Sequence, residues 1–230
     1  MTGRSVQLFA TCLGDLFLPD AVSDTARLLE QAGYRVEFPG TQVCCGQPAF
    51  NAGYHGAARR VARTFTRAFS RSAPIIAPSG SCTSFVAHSL PALLDCQPYP
   101  IYEFSQFMVA ADIAIQRLNQ GVAVAYHHSC HMLRGLGVAR EPESLLDASG
   151  AIRVPLRRPD LCCGFGGVFA ARHPEMSCSM ADEKLSSAPN ADVIVTADPG
   201  CLLHLQTRAA ATGGPPVMHL ASFLARGVKL

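Results

Sequence analysis

The chain has 230 residues, of which 49% are hydrophobic and 16% charged, so it can bury a sizeable core and is not a disordered segment. Its net charge of +2 is too mild for a nucleic-acid or anionic-membrane binder, and the longest apolar stretches, such as 107–115, are too short for a transmembrane segment. Ten cysteines are the compositional outlier.

In chain order, Val6–Ala10 reads as a strand ending just before Cys12. No secretory leader stands before it, so the cytoplasm is the expected compartment. Asp20–Gln31 has helical spacing through Val22, Ala26, Leu29 and Ala32, with Gly33 placed to end it. Tyr34–Phe38 alternates like a strand and leads toward Cys44. Tyr54–Phe69 predicts a basic amphipathic helix with Ala58, Val61, Phe65 and Phe69 on one side. Pro74–Pro78 is a short buried strand shortly before Cys82. A helix over Phe104–Leu118 is expected to join this part to the next. Strands then recur at Val122–Tyr126 before Cys130, at Ile152–Leu156 before Cys162 and at Asp192–Thr196 before Cys201.

The chain therefore repeats itself. Cys12 is followed by 31 residues, Cys44-Cys45-Gly46, 35 residues and Cys82. Cys130 is followed by 31 residues, Cys162-Cys163-Gly164, 36 residues and Cys201. The expected organisation is a first repeat over 1–103, a connecting helix over 104–121 and a second repeat over 122–230. Strands alternating with helices predict an α/β fold of two similar halves with parallel strands, about three per half, related by approximate two-fold symmetry. Each cysteine position then follows the carboxyl end of a strand, where open α/β sheets place their sites.

A cysteine framework of disulfides belongs to small secreted domains, so metal or redox chemistry is the better reading here. Core packing would account for two or three cysteines, and it is the reading for Cys96 and Cys178, which lie outside the repeat. It does not account for two quartets in register. Zinc sites favour C-x₂₋₄-C pairs, and the chain has no C-x-x-C. A Cys-Cys-Gly turn suits a larger cluster, with Gly46 and Gly164 free to adopt positive φ. The expected ligands are Cys12, Cys44, Cys45 and Cys82 in one set and Cys130, Cys162, Cys163 and Cys201 in the other. His127, His128 and His131 flank only the second set, where the first has Phe9, Ala10 and Leu13. His128 and His131 are candidates for proton transfer or ligation, and His127 a weaker one. Arg59, Arg60, Arg63, Arg67 and Arg71 read as a solvated helix face, with docking of an acidic partner as the alternative. Gly164-Phe-Gly-Gly167 lacks the spacing of a dinucleotide fingerprint and reads as a turn opening a helix, so no flavin or NAD is predicted on this chain.

Several stretches carry a family resemblance: the segment from Phe38 through Cys44-Cys45-Gly46 to Asn51, Pro78-Ser-Gly-Ser-Cys82, His127-His-Ser-Cys-His131, Cys162-Cys-Gly-Phe-Gly-Gly167 and Ala197-Asp-Pro-Gly-Cys201. They resemble the CCG-type cysteine-rich proteins, among them the B subunit of heterodisulfide reductase and the iron–sulfur subunits of lactate- and glycolate-oxidising systems. The resemblance implies an iron–sulfur cofactor, a [4Fe-4S] cluster, in each half. It also implies electron transfer within a complex that oxidises L-lactate to pyruvate, with a ferredoxin-domain iron–sulfur subunit and a third subunit as partners. Heterodisulfide reductase has a further cysteine where this chain has Ser79 and Asp198. Four ligands per half then fit an ordinary cubane; Ser79 reads as a turn residue, while Asp198 stays a candidate for chemistry. The chain also lacks the C-x₂-C-x₂-C-x₃-C-P run of ferredoxin-like segments, so a partner must hold the next cluster. A thiol/disulfide redox subunit and a zinc-binding interaction module remain the competing readings.

Overall fold

The structure, a computed structural model, describes residues 4–228. The outermost ends of the two expected repeats, 1–3 and 229–230, lie outside the described residues.

The first half runs β1 (Ser5–Leu8), α1 (Cys12–Phe17), α2 (Pro19–Gln31), β2 (Arg35–Glu37), α3 (Gln47–Asn51), α4 (His55–Ala68) and β3 (Ile75–Ala77). It continues through α5 (Gly80–Ser84), a π-helical turn at Phe85–Ser89, α6 (Leu90–Leu94), β4 (Ile101–Glu103) and α7 (Phe104–Ala110). The second half runs β5 (Ala123–Tyr126), a π-helical turn at His131–Leu136, α8 (Arg140–Ala148), β6 (Ile152–Arg153), α9 (Val168–Arg172) and α10 (Pro174–Ser186). It ends with β7 (Val193–Thr196), α11 (Pro199–Thr212), β8 (Val217–His219) and α12 (Leu220–Arg226).

Each half holds a parallel sheet of four strands, in the orders β2-β1-β3-β4 and β6-β5-β7-β8. The same strand order and the same strand–helix alternation make the halves alike. The central strands β3 and β7 are buried throughout, because Ile75-Ile-Ala77 and Val193-Ile-Val-Thr196 are continuous apolar or β-branched runs covered on both faces. Of the edge strands, β6 is exposed and β2 is mostly half-buried.

Four sequence expectations are corrected. Each sheet has a fourth strand, β4 or β8, beyond the three expected. The helix expected over Phe104–Leu118 stops at Ala110, and Asp112 takes a positive φ of 51°. Ile113 and Ile115 still pack on the core from this irregular segment, which is why the apolar spacing continues past the helix end. On α4 the buried positions are Ala58, Ala62 and Phe65, so Ala62 takes the place expected for Val61. The predicted strand Ile152–Leu156 is paired only at Ile152 and Arg153.

One core spans the two halves. Val6, Leu29 and Ile76 of the first meet Val124, Val193, Val195 and Phe223 of the second, with Phe104 and Met108 between them. Helix α12 packs along α2, and Arg226 bridges to Asp20 at 2.9 Å and to the buried Asp24 at 2.7 Å. No helix among the described residues is long and apolar enough to cross a membrane.

Candidate metal centre

Each cysteine set is assembled from three loops at the carboxyl ends of β1, β2 and β3, or of β5, β6 and β7. Cys12 opens α1, directly after Thr11, whose φ of 65° is rare for a β-branched residue; the Thr11 hydroxyl accepts the Gly14 N–H at 3.2 Å. Cys44 and Cys45 sit in the loop after β2. That loop is tied to β1 by Gln42, whose amide accepts from the Ala10 N–H at 2.8 Å and donates to the Leu8 carbonyl at 3.1 Å. Gly46 and Gly164 then turn the backbone at φ of 101° and 88°. Cys82 and Cys201 lie in the first turns of α5 and α11. There the Ser79 hydroxyl and an Asp198 carboxylate oxygen cap the helices by accepting the Cys82 and Cys201 N–H groups at 3.3 and 3.4 Å.

The sulfurs of each set touch in sequence. Cys44 accepts hydrogen bonds from Cys12 and Cys45, and from the Gly46 N–H at 3.4 Å, which brings its thiol down to about 3. The bond it gives to Cys44, together with burial, pushes Cys12 well up. Cys45 Sγ lies 3.5 Å from Cys82 Sγ, and its bonds to Cys44 and Cys82 raise it too. The second set repeats this. Cys162 accepts from Cys130 and Cys163 and falls to about 2, Cys130 and Cys163 rise, and Cys163 Sγ lies 3.1 Å from Cys201 Sγ. In each set the hydrogen bonds converging on the middle sulfur ease its deprotonation, giving a soft donor group that a thiophilic metal would complete by displacing the thiol protons. The residues fit an iron–sulfur group. Among the described residues the ten cysteines form no disulfide.

The two sets face one another. A single cleft of about 470 Å³ is lined by Cys12, Cys45, Cys82, Cys130, Cys162, Cys163 and Cys201, so every sequence-identified sulfur but Cys44 reaches it. The halves are joined at its walls. Asp198 accepts the Ser81 N–H at 2.7 Å with its second oxygen, and Gln47 lies 3.2 Å from the His131 ring. Both oxygens of Asp198 are therefore used in capping and in crossing between halves, and Ser79 caps α5, as the turn reading expects.

The histidines separate. His131 lines the cleft, whereas His128 bonds Glu143 at 3.1 Å in a different depression with Arg153 and Asp147. His127 is buried, with one ring nitrogen within 4.8 Å of the Cys163 and Cys201 sulfurs. The five arginines are exposed, and Arg71 stacks on Tyr99 at 3.8 Å. Cys96 packs against the first-half core and Cys178 is half-buried on α10, outside both sets. Gly166 and Gly167 have positive φ, and Gly167 opens α9 as expected. Sequence reasoning missed Thr11, Gln42, Gln47 and the buried Lys184. For Gln47 the signal was its place directly after Cys-Cys-Gly; for Lys184 there was none.

The profile of the CCG family, described as a cysteine-rich domain, matches residues 6–87 and 124–206. The chain is 38% identical over 235 residues to lactate utilization protein A of Halalkalibacterium halodurans, covering 95% of this chain and 96% of that one. It is 37% identical over 242 residues to lactate utilization protein A of Exiguobacterium sp., covering 98% of each. Among solved structures, a hypothetical protein from Helicobacter pylori superposes with a TM-score of 0.56 at 8% identity, a likeness of fold alone. The match covers 99% of this chain and half of that longer one.

Proposed function

We propose that this chain, which belongs to the CCG family of cysteine-rich domains, is the iron–sulfur electron-transfer subunit of a multi-subunit complex that oxidises L-lactate to pyruvate. Its near-full-length relatives carry the name lactate utilization protein A, which supports a role in lactate use. The observation that carries the redox reading is the linked quartet of sulfurs in each half, with both quartets opening on one cleft.

Clusters of [4Fe-4S] type, one per half, would supply single-electron transfer when bound. Cys12, Cys44, Cys45 and Cys82 hold the first, and Cys130, Cys162, Cys163 and Cys201 hold the second. Gly46 and Gly164 turn the backbone at positive φ directly after each cysteine pair, where a Cβ would press on α4 or α10. Ser79 and Asp198 spend their oxygens on helix caps, which supports four sulfur ligands per half and weighs against the five-cysteine, disulfide-cleaving alternative. A ferredoxin-domain subunit and a third subunit complete the complex, since this chain has no ferredoxin-type run of its own.

Iron and sulfide analysis with electron paramagnetic resonance on anaerobically reconstituted protein tests the reading. Cys45→Ala and Cys163→Ala are each expected to lose about half the iron, as one four-sulfur cluster per half requires. Protein that takes up no iron overturns the proposal, and stoichiometric zinc without iron would establish the zinc module in its place.

A further inference from the structure

The two halves match strand for strand, so a difference at matched positions beside the sulfurs points to a difference in what those sulfurs do. Phe9 and His127 are matched. Each follows the first strand of its half, and each gives its backbone N–H to the neighbouring strand at 2.8 Å, Phe9 to the Ile76 carbonyl and His127 to that of Val195. Helices α4 and α10 match too, burying Ala58, Ala62 and Phe65 on one and Ser177, Ala181 and Lys184 on the other at the same spacing. In the first half Phe9 and Phe65 meet edge to face with ring centroids 5.2 Å apart. In the second half their places are held by an imidazole and an ammonium, each 0% exposed.

Both polar groups are fixed, His127 beside the second sulfur set and Lys184 on α10, whose Ala181 and Leu185 share a buried cluster with Cys163 and Cys201. The His127 carbonyl accepts from the Thr196 hydroxyl at 3.0 Å, which together with the strand bond pins the residue. Neither ring nitrogen has a hydrogen-bond partner among the described residues, and one lies within 4.8 Å of the Cys163 and Cys201 sulfurs. Leaving a buried polar group unpaired is destabilising, a cost that the matched Phe9 does not carry. Lys184 donates to the carbonyls of Arg158 and Pro159 at 2.7 and 3.2 Å, and no carboxylate lies within ion-pair distance of it among the described residues. Burial lowers the lysine, while Asp160 and the sulfurs of Cys163, Cys130 and Cys162 pull it the other way.

We propose that His127 is a further binding residue of the second centre, offering a ring N–H to its sulfur ligands, and that with Lys184 it makes this centre the better electron acceptor of the two. The inference rests on the iron–sulfur reading above. A hydrogen bond to ligand sulfur and a nearby positive charge both favour the more negative, reduced state and raise the reduction potential. Both halves give a backbone N–H to sulfur, Gly46 to Cys44 and Gly164 to Cys162, but at the two matched side-chain positions the first half has neither donor nor charge, only Phe9 and Phe65 packed with Phe69. The downhill direction for an electron is then from the first set to the second.

A redox titration of the reconstituted full chain, followed by electron paramagnetic resonance, tests this. Two reduction waves are expected, the upper missing in Cys163→Ala and the lower missing in Cys45→Ala. His127→Phe, which copies the first half, and Lys184→Met should each shift the upper wave down toward the lower, leaving the lower wave in place as the internal control for folding. His127→Gln keeps an amide donor and should hold the upper wave nearer to wild type than His127→Phe does. An upper wave unmoved in both His127→Phe and Lys184→Met, at wild-type iron content, overturns the inference, as does an upper wave that belongs to the first set. Wild-type protein that binds no iron overturns the underlying reading instead.

Discussion

Gly46 and Gly164 do the same work at different tightness. A Cβ on Gly164 would stand 2.5 Å from the Ser177 carbonyl oxygen and 2.9 Å from Met180, whereas on Gly46 the nearest atom is the Ala58 carbonyl oxygen at 3.1 Å. Both positions also carry the strain of a side chain at positive φ, about 1–3 kcal/mol. Gly164→Ala is therefore expected to destabilise the metal-free protein more than Gly46→Ala, by a margin of about 1–2 kcal/mol in urea denaturation. Glu103 offers a pH test. It is fully buried, with one carboxylate oxygen unpaired among the described residues, while the other accepts from the Ser105 hydroxyl and from the Ser105 and Gln106 N–H groups. Burial raises its carboxyl from 4.5 to about 7. Between those values the unfolded chain is ionised and the folded one is not. The stability this proton holds is thus complete below pH 4.5 and is lost as pH rises to 7, about 3 kcal/mol in all. Glu103→Gln keeps an acceptor for the cap and should remove that fall, seen as a flatter dependence of the urea midpoint on pH from 5 to 8.

At the scale of elements, the caps of α5 and α11 are alike in place and unlike in load. Ser79 holds only its own helix turn, whereas Asp198 holds α11 and also the Ser81 N–H of the other half. Loss of a cap costs about 1 kcal/mol, and a charged bond across a buried boundary adds about 1.5–3 kcal/mol. Asp198→Ala should accordingly cost more than Ser79→Ala, by about 2 kcal/mol in thermal or urea unfolding. The elements that the residues announced were those with enough length to show a period. Helix α2 and strands β1, β5 and β7 fall where the apolar spacing put them. Strands β4 and β8 escaped because Ile101-Tyr-Glu103 and Val217-Met-His219 are three residues each, behind Pro98, Pro100, Pro215 and Pro216, too short to alternate. The site divides in the same way. The cysteines show themselves by spacing, but Lys184 sits in a helical run of charged residues, where only the tertiary fold reveals that it faces inward.

At the scale of the whole molecule, the shared core and the α2–α12 contact tie together two halves that each also keep an apolar cluster of their own. Metal-free protein is expected to unfold in a single calorimetric transition, with equal calorimetric and van't Hoff enthalpies; two resolved transitions would show that the halves are independent. The boundary is close-packed as well. A side chain on Gly80 would collide with Met132, and one on Gly135 would meet the Ser84 hydroxyl at 2.5 Å. The common cleft has a consequence of its own. Seven cysteines lining one open cleft share a single face toward the solvent. An oxidant or alkylating reagent that gains entry encounters both quartets together, and a molecule bulky enough to fill the opening shelters both. Damage and protection are thereby inherited jointly by two sites that the chain encodes more than a hundred residues apart.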